Sequence, residues 1–428
     1  MEWRVRSGRI TSLVALLILT GCGAATSNSG QSEKVTLIVW DALSGDAADA
    51  AARIYADFSE AFPEIEVERH ALTDDRSPSD LRIALASGTG PDVLGFVPDA
   101  PHRILLEPGL LASLNEIPVR YGWSQKLDPA ARQWTTKGGR LFGLPVGVEL
   151  SGLYVNMSLL ERIGQDPPRT YDSLLDLCAV AAQQGITAMA LSDEGASGAT
   201  PLFGMVLNNL VGPDLTAALL FEQWGRWDTS RVARAVRITA EELPGAGCMS
   251  ADPAVTAEEA VATFGGGETI LLPGGSGQAA AIEASTEFET TFIPFPTIDS
   301  GRGRVVPARA TTAFGLATKS AHPRESAKLL NYLVSDEAAK VWAETGGSVP
   351  AVRSNTADWT LSPLTETMLD LTEATRRPFG PNLGYQLDPA LPAPFATAIG
   401  ESLAAVEAGE VTPELVATRL QMLWLPES

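Results

Sequence analysis

From Lys34 onward the chain alternates short β-like runs with amphipathic helical stretches. Val35 to Trp40 is a near-continuous apolar run, which predicts a strand buried on both faces. Asp46 is placed to cap the following helix, whose apolar stripe Ala51, Ile54, Tyr55, Phe58 and Phe62 recurs at helical spacing. Pro63 ends it, and Ile65-Glu66-Val67-Glu68 alternates as a strand does. A short helix from Asp80 is stopped by Gly88, and Pro91-Asp92-Val93-Leu94 opens another buried strand. This β-α-β-α-β order predicts a parallel sheet with helices on its faces. Ligands of such sheets bind beyond the carboxyl ends of the strands, which points at Trp40 to Gly45 and at Gly95 to Asp99.

A second unit begins near Gly143. Its helix from Asp172 to Gln184 stops at Gly185, and the strand Thr269 to Leu272 runs into a glycine-rich turn. Another apolar stretch spans Val305 to Leu316. A helix after Pro323, with Ala327, Leu330 and Leu333, leads to one holding Val341 and Trp342, ended by Gly346-Gly347. Two late helices, Phe395 to Glu410 and Pro413 to Trp424, close the pattern, and Thr412 with Pro413 marks a helix start.

The first residues follow a different rule. Arg4, Arg6 and Arg9 precede the mostly apolar run Ile10 to Leu19. That run is too short for a membrane span, which needs roughly 20 residues, and reads as the core of a secretory signal. Leu19-Thr20-Gly21-Cys22 resembles a bacterial lipobox, which implies cleavage before Cys22 and a lipid on its thiol. Residues 1–21 are then the signal and 22–33, rich in Ser, Gly and Ala, a tether.

Composition narrows the picture further. Of 428 residues about 400 follow Cys22, more than one core serves well, so two domains are expected. Net charge is −21, and losing Arg4, Arg6 and Arg9 with Glu2 leaves −23, which disfavours nucleic acid and anionic lipid. Cys178 and Cys248 remain in an oxidising compartment. A bridge between them and a buried free thiol on the stripe Leu174, Leu177, Cys178, Ala181 are both open.

Five stretches, taken together, resemble a family. Leu37-Ile38-Val39-Trp40-Asp41 is similar to the first strand of carbohydrate-binding solute receptors of bacterial ABC importers, the maltose-binding-protein-like family. Pro91-Asp92-Val93 with Gly109 to Leu114, Gly139 to Pro145 with Leu153-Tyr154-Val155-Asn156, Pro168 to Asp172, and Lys328 to Asp336 with Gly346 to Pro350 resemble its further blocks in order. The resemblance implies an α/β, two-lobe periplasmic-binding-protein fold (type II-like) with a cleft and a hinge. Lobe 1 would hold residues 34–145 with 310–355 returning, and lobe 2 residues 146–309 with 356–428 returning. Crossings are expected near Pro145 to Glu149 and Val305 to Thr312.

The same resemblance places Phe96, Asp99 and Glu149 at ligand positions and maps the second lobe's cleft loop onto Pro273 to Gln278. The family's tryptophan is absent there, leaving Gly274, Gly275 and Ser276. The chemistry is that of a sugar, whose hydroxyls suit carboxylates and whose ring faces suit aromatics. Asp41, Asp99 and Glu149 are the candidate acceptors. Trp40, Phe96, Trp134 and Tyr385 are the candidate platforms, with Ser44 at the first strand's end. Trp40 and Trp134 also suit packing, and Asp41 a turn. Arg304 and Arg309 could fork onto a carboxylate or a phosphate, which matters because some relatives bind glycerol phosphodiesters, and solvated arginine is the alternative.

The expected partners are a sugar or glycerol-phosphodiester-like small molecule and ABC permease subunits, with no nucleic acid, no cofactor and a monomeric state. Gly275 to Ala280 fits a loose nucleotide pattern without its opening βαβ unit, and His70, His102 and His322 have no metal spacing. A glycan hydrolase using Asp99 and Glu149, or a sensor lipoprotein without transport, are the alternative functions.

Overall fold

The computed structural model describes residues 34–73, 76–117, 121–191, 199–221, 224–249, 256–299, 303–378 and 380–424. The signal, Cys22 and the tether lie outside them. The first strand, Val35–Asp41, pairs in parallel with Ile65–Ala71 on one side and Val93–Phe96 on the other. A five-stranded sheet results, in the order 65–71, 35–41, 93–96, 313–316, 144–145, with the last two joints antiparallel. The first strand is more one-sided than its apolar run predicts: Leu37, Val39 and Asp41 are buried, whereas Val35, Ile38 and Trp40 are only partly covered.

The helix Gly45–Ala61 buries Ala50, Ala51, Ile54, Tyr55 and Phe58 against this sheet and the helices 323–333 and 336–344. Its cap differs from expectation. Ser44 occupies the N-cap position without a side-chain bond, and Asp46 lies inside the first turn. The next helix, Pro78–Ser87, carries a full capping box between Ser77 and Asp80, and left-handed Gly88 terminates it.

The second sheet runs 382–385, 305–310, 147–156, 269–275, 187–189, with 290–293 and 349–350 also pairing to 147–156. The chain leaves the first sheet at Leu144–Pro145 and enters the second at Gly147, and it returns between Ala310 and Ala313. The crossings are stitched together: Val146 N donates to Thr312 O (2.9 Å) and Thr311 N to Gly147 O (3.0 Å), while Ala351 N donates to Val146 O (3.2 Å). Gly147 is needed here, because a Cβ would come within 2.8 Å of Thr311 Oγ1.

A second core gathers Leu153 and Val155 with the helices Tyr171–Gln183, Thr200–Val211, Ser230–Arg237, Ala393–Glu407 and Pro413–Trp424. Cys178 and Cys248 are bridged inside it, with Cα atoms 4.8 Å apart and neither residue exposed. Of the two open readings, the structure selects the disulfide. Among the described residues no helix is long and apolar enough to cross a membrane.

Candidate ligand cleft

Glu149 lies in the strand Gly147–Asn156, just past the crossing, directly opposite Arg309 of the strand Val305–Ala310. Their side chains form an ion pair, with both partly open to solvent. Of the two acceptors open to Arg309, the structure supplies a carboxylate of the chain itself: Arg309 Nη2 donates to Glu149. Gln386 Nε2 donates to Glu149 O (3.2 Å), so the backbone of the same residue is held from the strand 382–385 as well.

The glycine-rich turn after strand Thr269–Gly275 is fastened onto Glu149's strand. Tyr154 Oη donates to Gly275 O (2.7 Å), and Leu150 N donates to Ser276 Oγ (3.0 Å). Burial raises the Tyr154 phenol well above its ordinary range, so it stays a donor. Gly275 N donates to Gln278 Oε1 (3.2 Å), so that amide is already engaged within the turn. A Cβ on Gly275 would collide with Glu149 Oε1, and one on Gly274 with Gln278 Oε1. These glycines are small so that Glu149 and Gln278 can lie against the backbone.

Beside this turn opens a cavity of about 340 Å³ between the lobes. Its wall includes Asp46 at the start of the first helix, Glu149, Ser276, Glu283, Glu344 and Gly347. Glu283 accepts Leu364 N (2.8 Å) and Glu344 accepts Thr360 N (2.7 Å), so both double as fastenings of the wall.

On the other side of Glu149, the turn after Val93–Phe96 meets the second lobe directly. Ala100 N donates to Pro389 O at 2.7 Å. Asp99 Oδ1 accepts His102 N (3.0 Å) and meets His102 Nδ1 (2.7 Å), which sets the turn. Asp388 keeps solvent contact but is hemmed in by protein, and this desolvation pushes its carboxyl up to about 6. Phe221, at the end of helix Pro213–Phe221, stacks edge-on with Trp134 and Tyr385 (centroids 5.2 Å in each case). Arg103 lies over the other side of this cluster, 5.3 Å from the Phe221 centroid.

Several expected ligand residues turn out otherwise. Asp41 is completely buried: it accepts Arg69 Nη2 (2.6 Å), Arg69 Nε (3.0 Å), Tyr55 Oη (3.2 Å) and Leu43 N (3.1 Å). Such a carboxylate is spent on its own lobe and has no face left for a solute. Trp134 is 1% exposed and belongs to the second core. Trp40 is half-buried beneath Arg76, whose guanidinium lies 4.8 Å from its ring centroid. Phe96 is buried in the first lobe in one cluster with Ala313, and its ring tip fills the space that a Cβ on Gly143 would take. Ser44 is exposed at the helix start, near Asp46 of the cavity wall. Arg304 is exposed, and its backbone O accepts Asn382 N (2.9 Å).

The structure thus gathers Glu149, Gly275 and Ser276 tightly, with Tyr385 and Asp99 on the opposite flank. Phe221, Arg103 and Gln386 were not visible as site residues in the sequence. Phe221 closes an ordinary apolar helix, and a single arginine in a turn carries no spacing signal. Among the described residues no group of three or more His, Cys, Asp or Glu side chains could hold a metal ion.

A family model described as bacterial extracellular solute-binding protein matches residues 53–365. The "Multiple sugar-binding protein" of Streptococcus mutans is 22% identical over 385 residues, covering 86% of this chain and 87% of that protein. The melibiose/raffinose/stachyose-binding protein MelE of Bacillus subtilis is 28% identical over 163 residues, covering 37% of this chain and 36% of its own length. Among solved structures, the apo form of RafE from Streptococcus pneumoniae superposes with a TM-score of 0.76 at 16% identity, over 93% of this chain and 99% of RafE. With two sheets joined by crossing strands and a cavity between them, the chain belongs to the bacterial extracellular solute-binding protein family.

Proposed function

We propose that this protein captures a saccharide outside the membrane and delivers it to an ABC permease, tethered by a lipid on Cys22. The cavity beside Glu149 supports this reading most directly, because its wall is drawn from both lobes and from the crossing strand. A solute bound there touches both bodies and favours their approach by its differential affinity for the closed state. The sugar ligands named for the relatives point the same way. Asp99 and Glu149 are engaged by His102 and Arg309, which fixes the direction in which each carboxylate presents its remaining oxygen to hydroxyls.

The test is a thermal-shift and calorimetric screen of melibiose, raffinose, stachyose, xylo- and chito-oligosaccharides beside glycerol phosphodiesters. A true ligand at 100 times its dissociation constant adds about 2.7 kcal/mol of stability. Glu149→Gln should weaken it by roughly 10- to 150-fold, the value of a charge-assisted hydrogen bond. Ligand recovered unchanged supports a receptor. Cleaved ligand, or a screen in which only phosphodiesters bind, overturns the reading.

A further inference from the structure

Arg69, Arg309 and Arg376 each lie against a carboxylate: Asp41, Glu149, and Glu373 with Asp128, although Nε and Nη2 of Arg376 are also buried without a hydrogen-bond acceptor. Arg103 does not. Its backbone N–H donates to Ala100 O (3.3 Å), but its guanidinium Nη1 is fully buried with no acceptor among the described residues. Its polar head rests instead on the face of Phe221, and burial lowers its pKa from the ordinary value. Trp134 Nε1, behind the same ring, is a second buried donor with no acceptor. Unsatisfied buried donors are costly, all the more when charged, and at the edge of a cleft an incoming ligand can supply the missing acceptor.

Position identifies where that acceptor would come from. Arg103 follows the carboxyl end of Val93–Phe96, and Phe221 belongs to the second lobe, so the contact spans the cleft. In the second sheet the strand of Tyr385 lies on one side of Glu149's strand and the glycine turn on the other. Acidic groups (Asp46, Glu283, Glu344) line the flank of the glycine turn, and at the other Arg103 stands on an aromatic ring near the turns that carry Asp99 and Asp388. A guanidinium stacked on a ring leaves its N–H edge free for a planar carboxylate.

Building on the saccharide-receptor reading, we propose that Arg103 is a specificity residue that takes the carboxylate of an acidic saccharide, a uronate joined to a neutral sugar. The neutral unit lies toward Glu149 and Ser276, and the uronate lies across Phe221 and Tyr385. Arg309 is not available for this role, because Glu149 holds it.

The experiment measures the mature protein by calorimetry with three probes: an aldobiouronic acid, its methyl ester, and the disaccharide with glucose in place of glucuronate. The acid should bind at least about tenfold tighter than either neutral probe, and added salt should narrow the gap. Arg103→Gln should erase the preference, bringing the acid level with the neutral probes, and Arg103→Lys should restore part of it. Equal affinity of the parent protein for acid and ester overturns the inference without recourse to any variant. So does an Arg103→Gln variant, folded by its melting curve, that loses all three probes alike, since that describes a structural role. If the neutral probes bind in a Glu149-dependent way with no preference for the acid, only this inference falls. If no saccharide of either kind binds, the receptor reading falls with it.

Discussion

Asp41→Ala separates two roles that the sequence leaves tied. A solute acceptor would lose affinity and leave the fold alone; a buried counter-ion would do the reverse. Asp41 is 0% exposed and is met by two nitrogens of Arg69, the Tyr55 hydroxyl and Leu43 N. Removing one member of a buried pair typically costs ~3–5 kcal/mol, because the partner charge is stranded. Arg69 keeps 23% of its side chain in solvent and can hydrate in part, so the lower end of that range applies, about 3 kcal/mol. The Tyr55 hydroxyl and Leu43 N–H are orphaned too, which stops the cost from falling much further. In a lobe of this size each kcal/mol moves the melting point by roughly 2–4 °C, so a drop of roughly 6–12 °C is expected. Calorimetric melting of the empty protein reads the first quantity and isothermal titration with an identified saccharide the second. Parent-like melting together with an affinity loss of tenfold or more would refute the argument and return Asp41 to the binding site.

Three further outcomes are expected. Refolding the protein with Cys178 and Cys248 reduced should lower stability by about 4 kcal/mol, since the bridge closes a separation of 70 residues, and coincident denaturant curves for the two forms would contradict this. Gly275→Ala should cost ~1–3 kcal/mol and weaken saccharide binding, because the methyl displaces Glu149. Its φ of −98° suits any residue, so an unperturbed variant would mean that the contact with Glu149 is slack. Cys22→Ala should abolish lipid modification, and protein that still partitions into detergent as the parent does would remove the anchor from the account.

The sequence by itself determined the local elements and their order, because these depend on nearest neighbours. The stripe Ala51 to Phe58 could fold only as a helix with one buried face, and Thr412 with Pro413 announced a helix that begins at Pro413. Gly88 stopped its helix because it alone adopts φ +81° cheaply. The parallel β-α-β-α-β start followed from the same local periodicities, whereas two units were expected from chain length and the family resemblance.

Tertiary structure decided what each polar side chain faces. Residue type alone did not distinguish Asp41 from Glu149, both carboxylates at a strand in a plausible cleft position; only the family resemblance favoured Glu149. Arg69, 28 residues away, claims the first, whereas Arg309, 160 residues away, braces the second at the mouth of a cavity. The choice between a free thiol and a bridge at Cys178 likewise awaited the approach of Cys248. Phe221 became part of an interlobe surface only when Arg103 and Tyr385 were folded against it. Hydrophobic period is a property of neighbours in sequence, but the partner of a charge is a property of neighbours in space, and that is why the elements were legible and the site was not.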